Sequence, residues 1–449
     1  MELKGKRVLV FGSGISGIAA AKLLCKVQAV PVIYDGNTKA DKAGIIEKTG
    51  QDIQVILGEL AKEEIEQIDL VVMSPGVPTD IPLVDTFREC QIPVWGEIEL
   101  AYEMSKGSVL AITGTNGKTT TTALLGQIMQ DYCKEVYVVG NIGTPYTSIA
   151  MDTTGEAVTV AEISSFQLET IEEFHPKVSA ILNITPDHLN RHHTMEEYIR
   201  VKELITKNQT SEDLCVLNYE DEVLREFAST LKTKVLFFSS VHILERGIYY
   251  QDGTIWLQTP QEKIMVVNVD DLKLLGMHNY ENVMAAVAMA YGAGVPMDSI
   301  RKTVCAFTSV EHRIEYVTEK NGVTYYNDSK GTNPDAAIKG IQAMNRPTYL
   351  IGGGYDKDSD YTEWIQAFDG KVKCLVLIGQ TREKIEKTAH DCGFMDTLLA
   401  DNLEEAVKIC ADKAKAGEAV LLSPACASWG QFENYEIRGK MFKEYVQNL

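Results

Sequence analysis

Short apolar runs alternate with amphipathic stretches along most of the chain. Arg7 to Phe11 is a strand-like run that breaks at Gly12, after which Ala19, Ala20, Leu23, Leu24 and Val27 recur on one helical face. Val30 to Tyr34 follows as a strand ending at Asp35, and Leu70 to Met73 as another that stops at Ser74-Pro-Gly76. The run beginning at Val109 breaks at Gly114 and continues as a helix with Leu124, Leu125, Ile128 and Met129 on its apolar side. Ala157 to Ala161 ends in Glu162, and Val178 to Leu182 ends in Asn-Ile-Thr-Pro-Asp-His188. A more polar, β-rich stretch from about Leu214 to Val269 is expected to form an antiparallel edge or subsheet attached to the main sheet. Three late strands, Thr348 to Ile351, Cys374 to Ile378 and Ala419 to Leu422, each run into Gly or Ser. Such alternation predicts α/β architecture, with parallel sheets covered on both faces and ligand loops beyond the carboxyl ends of the strands.

Breaks near Trp95-Gly96 and Val310 divide the chain into 1–96, 97–309 and 310–449. Its 449 residues suffice for roughly three domains of ordinary size. A formal charge of −20 argues against nucleic acid as a partner. The 9 cysteines form no Cys-x-x-Cys pair, so neither a disulfide framework nor a zinc knuckle is indicated, and they read as thiols in a reducing compartment. No uncharged apolar run is long enough to cross a bilayer. A soluble, cytoplasmic protein without a membrane partner is expected.

Gly114-Thr-Asn-Gly-Lys-Thr-Thr120 carries the chemistry of a phosphate loop. Backbone amides curl around an anion, the helix that follows adds positive charge at its start, and Lys118 and Thr119 meet the outer phosphates and Mg²⁺. Ile112 stands where the usual pattern has its first glycine. A second glycine loop, Gly12-Ser-Gly-Ile-Ser-Gly17, lies between strand and helix, and Asp35 stands where an acid takes a ribose hydroxyl. Its chemistry selects a pyrophosphate, so a nicotinamide dinucleotide and another diphosphate both remain open. Glu162, at a strand end, suits Mg²⁺, which prefers oxygen ligands. His188 and His192 are four apart, but Pro186 and the missing Glu oppose a zinc protease motif. Lys202 flanks the apolar face of Tyr198, Val201 and Ile205, where the ordinary reading is a lysine whose stem covers apolar surface while its head reaches water. Gly276 to Asn282 and Tyr326 to Asn333 are polar clusters of the kind that form solvated turns.

Together, Gly114 to Thr119, Glu162-Ile-Ser-Ser165, Asp187-His188, Lys202, Gly276-x-His-Asn-x-x-Asn282, His312-Arg313 and Asp328-Ser-Lys330 resemble the Mur ligase family of ATP-dependent amide-bond-forming enzymes. The resemblance covers essentially the whole chain. It implies three domains: a Rossmann-like N-terminal domain for a UDP substrate, a central P-loop mononucleotide-binding domain, and a Rossmann-like C-terminal domain for an amino acid. Gly12 to Gly17, Ser74-Pro-Gly76 and Ser423-Pro-Ala-Cys-Ala-Ser428 with Gln431-Phe432 are similar to family members that add D-glutamate to UDP-N-acetylmuramoyl-L-alanine.

The same resemblance implies ATP, two Mg²⁺ sites and a monomer working in peptidoglycan precursor synthesis. Acceptor contacts would come from Gly14, Ile15, Ser16, Asp35, Gly36, Ser74, Pro75, Gly76 and Asn141. Gly114, Thr115, Asn116, Gly117, Lys118, Thr119 and Thr120 would hold the phosphates, and Asn282, Arg313 and Asp328 would address adenine, phosphate and ribose. One Mg²⁺ would sit on Thr119 and Glu162, the other on His188 and a carbamylated Lys202, so that Lys118, Glu162, His188 and Lys202 are the implied catalytic groups. Lys330, Thr332, Lys357, Ser428, Trp429 and Tyr435 would line the D-glutamate site. The chain departs from the family at Gly331, often Ala, at Tyr435, often Phe, and at Trp429, usually a small aliphatic residue. Four other readings compete. They are a sibling ligase adding L-alanine, a folate polyglutamate ligase, an NAD-dependent dehydrogenase and a non-catalytic ATP-binding module. Ser423 to Ser428 with Lys330 and Lys357 disfavours the first, and Gly12 to Gly17 the second. The third leaves the phosphate loop unexplained, and the last has no use for Glu162, His188 and Lys202.

Overall fold

The computed structural model describes residues 2–141 and 143–449. The chain divides into two compact units, Met1–Val266 with Glu281–Thr303, and Val267–Tyr280 with Val304–Leu449.

The first unit holds two sheets. Five parallel strands run in the order Gln54–Leu57, Val30–Asp35, Arg7–Phe11, Leu70–Met73, Val94–Gly96. Strand order reverses at Arg7–Phe11, so the loop after it opens between diverging neighbours, where such sheets bind ligands. Both faces are buried. Leu9, Val32 and Val71 pack toward Val84 and Phe87, while Val8, Val10, Ile33 and Val72 join a core with Ala20, Leu23 and Leu24 of the helix Ile15–Lys26. That two-sided burial is why these strands read as continuous apolar runs.

The second sheet has nine strands, ordered Lys263–Asn268, Thr254–Gln258, Gly247–Gln251, Lys234–Ser239, Leu214–Asn218, Val178–Ile181, Ser108–Thr113, Val158–Glu162, Val136–Gly140. The expected antiparallel edge from Leu214 to Val269 needs correction. Leu214–Asn218 and Lys234–Ser239 are parallel members of the main sheet, because the helix Glu222–Ala228 carries the chain back between them. Antiparallel pairing begins only with Gly247–Gln251 against Thr254–Gln258, joined through Asp252 and Gly253 at φ 48 and 77, the pair of positive angles a tight hairpin turn requires.

The second unit contains a six-stranded sheet ordered Glu315–Lys320, Val323–Asn327, Ala419–Leu422, Thr348–Gly354, Val372–Gly379, Thr397–Leu399. It is parallel apart from the outer strand Glu315–Lys320. Tyr326 to Asn333 is not the solvated turn its polarity suggested. Val323–Asn327 is a fully buried strand, and Asp328 and Ser329 beyond it are buried too. The polar side chains are tolerated because they find partners: Asn327 Nδ2 donates to Glu315 Oε2 at 2.9 Å and meets His312 Nδ1 at 2.9 Å. Likewise Gly276 to Asn282 runs into the helix Met277–Gly292, with Asn279 and Asn282 buried. Among the described residues no helix is long and apolar enough to cross a membrane.

Candidate functional site

The phosphate loop leaves the strand Ser108–Thr113, whose neighbours are Val178–Ile181 and Val158–Glu162. Ile112 pairs with Glu162 across the ladder, so the carboxylate sits beside the mouth of the loop. Asn183, just past the next strand, fixes the loop. Its Oδ1 accepts from Asn116 N at 2.8 Å, its Nδ2 donates to Asn116 O at 3.1 Å, and its backbone oxygen accepts from Thr115 N at 2.9 Å. Gly117 precedes the helix Lys118–Tyr132 in the left-handed region at φ 88. A Cβ there would lie 2.2 Å from Asn282 Oδ1, so only glycine fits beside Asn282. Asn282 Oδ1 also accepts from Thr121 Oγ1 at 3.3 Å, so Asn282 stands against the loop and the first turn of its helix.

Lysines 118 and 202 converge on one carbonyl. Lys118 Nζ donates to Gly114 O at 2.8 Å and to Thr115 O at 2.9 Å, while Lys202 Nζ donates to Gly114 O at 2.9 Å. Lys202 does not reach water as its helical position suggested: it is 1% exposed and lies over the Tyr198 ring at 4.6 Å. The correction has a tertiary cause, because the loop at Gly114 covers the flank where the head would have emerged. Burial, then the charge of Lys118, drops the Lys202 ammonium to about 7.

Glu162 is buried, with Oε1 accepting from Asn141 Nδ2 at 3.1 Å. His188 stands half-exposed at the start of Leu189–His192, in a left-handed conformation at φ 53, its Nε2 3.5 Å from Asp187 Oδ2 and its ring 4.9 Å from that of Phe166. Thr119 is partly buried in the first turn of its helix. Among the described residues no three His, Cys, Asp or Glu side chains converge as a ready metal cage. The donor set Thr119, Glu162 and His188 suits a cation that keeps several waters and phosphate oxygens, as Mg²⁺ does.

In the first glycine loop, Gly17 lies against the turn it follows: a Cβ on it would meet Gly12 O at 1.9 Å. Ser74 Oγ lies 3.5 Å from the same oxygen, and Ile15 is 80% exposed at the tip of its helix. Burial alone would raise the Asp35 carboxyl, but hydrogen bonds from Ser13 and Asn37 hold it below the usual carboxylate range. Nearby, Glu97 is buried, its Oε1 accepting from Gln167 Nε2 at 2.6 Å and its Oε2 without a partner. Burial pushes its carboxyl up to about 7. Gln167 in turn accepts from Ser164 N at 2.8 Å in a reciprocal cap of the turn after Glu162.

On the second unit, Lys330 lies over the Tyr435 ring at 5.6 Å and Lys357 over Trp429 at 4.8 Å, so two of the departures from the family supply faces for these cations. Ser428 and Asp328 are buried, Thr332 partly so, and Arg313 is exposed. Asp328 Oδ2 accepts from Ser423 Oγ at 2.7 Å, and burial pushes its carboxyl up to about 7. The third departure has a steric reason, since a Cβ at Gly331 would stand 2.8 Å from Asp328 Oδ2 and 2.9 Å from Ser423 Oγ.

Three family models match the chain: the MurD-like N-terminal domain over 6–96, the Mur ligase middle domain over 112–290, and the Mur ligase glutamate ligase domain over 312–426. The chain belongs to the Mur ligase family. Family relatives include the UDP-N-acetylmuramoylalanine--D-glutamate ligases of Lachnoclostridium phytofermentans, 57% identical over 100% of this chain and 99% of its own, and of Lachnospira eligens, 56% identical over 100% of both. Among solved structures, the UDP-N-acetylmuramate-alanine ligase MurC of Thermotoga maritima aligns over 99% of each chain at 18% identity, with a TM-score of 0.58. That likeness is one of fold.

Some groups at the site escaped the sequence reading. Arg438 is fully buried, and its guanidinium donates to Ser329 Oγ at 3.0 Å, Ser329 O at 2.8 Å and Cys426 O at 3.1 Å. It thereby ties the loop carrying Lys330 to the loop carrying Ser428, and burial lowers it to about 10. Nothing in its helix, Tyr435–Gln447, marks it out beyond an arginine at an apolar position. Asn183 and Gln167 carried no motif either.

Proposed function

We propose that this chain is an ATP-dependent ligase that joins D-glutamate to UDP-N-acetylmuramoyl-L-alanine. The observation that carries the reading is the convergence of Lys118 and Lys202 on Gly114 O beside Glu162. Such a site suits transfer of a terminal phosphoryl group, and the full-length relatives' names supply the substrates. The sibling that adds alanine is favoured by neither identity nor the pairing of Lys330 and Lys357 with aromatic faces.

The acceptor carboxylate attacks the γ-phosphorus of ATP, ADP leaves, and an acyl phosphate forms. The amine of D-glutamate then adds to the acyl carbon, and the tetrahedral adduct expels phosphate with loss of a proton. A carboxylate is a poor electrophile until its oxygen becomes part of a good leaving group. Lys118 and the loop amides offset charge on the transferring group, the dominant task in such chemistry. Thr119 and Glu162 would hold one Mg²⁺, and His188 with Lys202 a second. When bound, the ions screen the phosphoryl oxygens. An ammonium at Lys202 opposes this, whereas its near-neutral amine can add to CO₂ and release a proton, leaving a carbamate with two oxygen donors.

Gly114 to Thr120, Asn282, Arg313 and Asp328 serve the nucleotide in this reading. The acceptor belongs to Gly14, Ile15, Ser16, Asp35, Gly36, Ser74, Pro75, Gly76 and Asn141, and D-glutamate to Lys330, Thr332, Lys357, Ser428, Trp429 and Tyr435. The domains are 1–96, 97–309 and 310–449, and the enzyme works as a cytoplasmic monomer with neither nucleic acid nor membrane as partner. An amino-acid screen tests the proposal. Phosphate release from ATP should require both UDP-N-acetylmuramoyl-L-alanine and D-glutamate; equal release with L-alanine and UDP-N-acetylmuramate would overturn it.

A further inference from the structure

The loop Ser74 to Asp80, which follows the strand Leu70–Met73, is fastened to the segment Leu189 to His193 by side chains that belong neither to the phosphate loop nor to the proposed Mg²⁺ ligands. Arg191 stands at the centre. Its Nη2 donates to Val77 O at 3.0 Å and to Glu169 Oε2 at 2.7 Å. The same Glu169 oxygen accepts from Thr79 Oγ1 at 2.9 Å. The guanidinium lies over the Phe166 ring at 4.9 Å, and Phe166 also packs on the rings of His188 and His192. His192 is turned by Ser165 Oγ at 2.9 Å, and its Nδ1 faces Glu169 Oε1 at 3.5 Å. At the outer end Asp80 Oδ2 pairs with His193 Nε2 at 2.8 Å.

The side chains of Arg191 and Glu169 are only 12% and 10% exposed, so water competes poorly for this pair. A planar guanidinium serves a backbone carbonyl and a carboxylate from a rigid, pre-organised fork while its face stacks on a ring, a geometry that the point charge of a flexible lysine does not reproduce. Ordering a loop when a ligand arrives costs affinity, and a loop already ordered avoids that cost. The phosphate loop is held by other means, through Asn183 and through Thr115 Oγ1 on Tyr198 OH at 3.0 Å.

We propose that Arg191 is a positioning residue for the UDP-linked acceptor: with Glu169 and Thr79 it holds Ser74 to Thr79 in the shape that receives the acceptor and sets its offset from His188. This rests on the reading of Ser74, Pro75 and Gly76 as acceptor contacts.

The test compares the full chain with Arg191→Lys, Glu169→Gln and Thr79→Val, using two readouts. Amide hydrogen exchange over residues 74–80 is followed without ligands, and KM for acceptor and for ATP is taken from phosphate release. For Arg191→Lys, exchange of the loop should quicken about tenfold and acceptor KM rise about tenfold, while ATP KM stays within about twofold. Glu169→Gln should act in the same direction. Thr79→Val removes a single bond to the same carboxylate, so it should give a smaller shift of the same sign and serves if Arg191→Lys does not fold. Unchanged exchange at 74–80, or an equal rise in both KM values, would overturn the proposal. Wild-type phosphate release indifferent to the UDP-linked acceptor would instead overturn the functional reading, and loop exchange would still decide the clamp.

Discussion

Lys202 shows how much of a residue's role lies outside its own helix. Its spacing from Tyr198, Val201 and Ile205 places it on a flank, and from there an ordinary lysine head escapes to water. The head is instead trapped on Gly114 O, contributed by a loop 88 residues earlier in the chain. Helical periodicity carries no information about that covering loop, whereas the glycines of the loop and the strand-end carboxylate were legible because their chemistry is local. The proposed carbamate gives a sharp expectation. Lys202→Ala should lower phosphate release by about 100-fold or more, and acetate or formate in the assay should restore part of it by supplying the missing oxygens. Activity close to wild type, measured by phosphate release under saturating substrates, would remove Lys202 from the metal site.

Elements packed on two faces were easy to read, since Leu70–Met73 and Ala419–Leu422 are apolar from end to end, Arg7–Phe11 is apolar after its first residue, and their bounds match the structure. Val323–Asn327 was hidden because its polar Thr324 and Asn327 side chains find partners outside the strand, Thr324 accepting from Arg346 and Asn327 donating to Glu315, and polarity alone mimics a turn. Leu214–Asn218 and Lys234–Ser239 were misread in direction because the seven-residue helix Glu222–Ala228 between them is short for a crossover. Two predictions belong at this scale. Gly17→Ala forces the helix Ile15–Lys26 away from Gly12 O and should cost about 1–3 kcal/mol in urea unfolding while weakening acceptor binding more than ATP binding. Arg438→Met leaves the oxygens of Ser329 and Cys426 without their donor. It should cost about 3 kcal/mol and raise KM for D-glutamate, which thermal melts and phosphate-release kinetics would register together.

At the scale of the whole molecule, buried titratable groups shape stability against pH. Glu97 has its carboxyl raised from 4.5 to about 7, so the folded chain keeps a proton that the unfolded chain releases in that window. The contribution is complete below the lower value and lost as pH rises through the upper one. Lys202, lowered from 10.5 to about 7, has the opposite sign: the stability it withholds below the lower value returns as pH climbs toward the upper. A glutamine at position 97 removes the first effect alone. Glu97→Gln should therefore match wild type near about pH 4 and exceed it by about 3 kcal/mol near about pH 8, read from urea midpoints at each pH. A constant difference across that range would mean that Glu97 titrates normally.

The Asp252-Gly253 turn lies at the far side of the nine-stranded sheet. Five strand spacings separate Thr254–Gln258 from the strand that feeds the phosphate loop, about 24 Å at the usual pitch. Asp252 is exposed, and hairpin tips of this kind accept foreign residues readily. A dye-bearing peptide or a surface tether grafted there would leave turnover intact, which makes this corner of the enzyme a handle for watching single molecules at work.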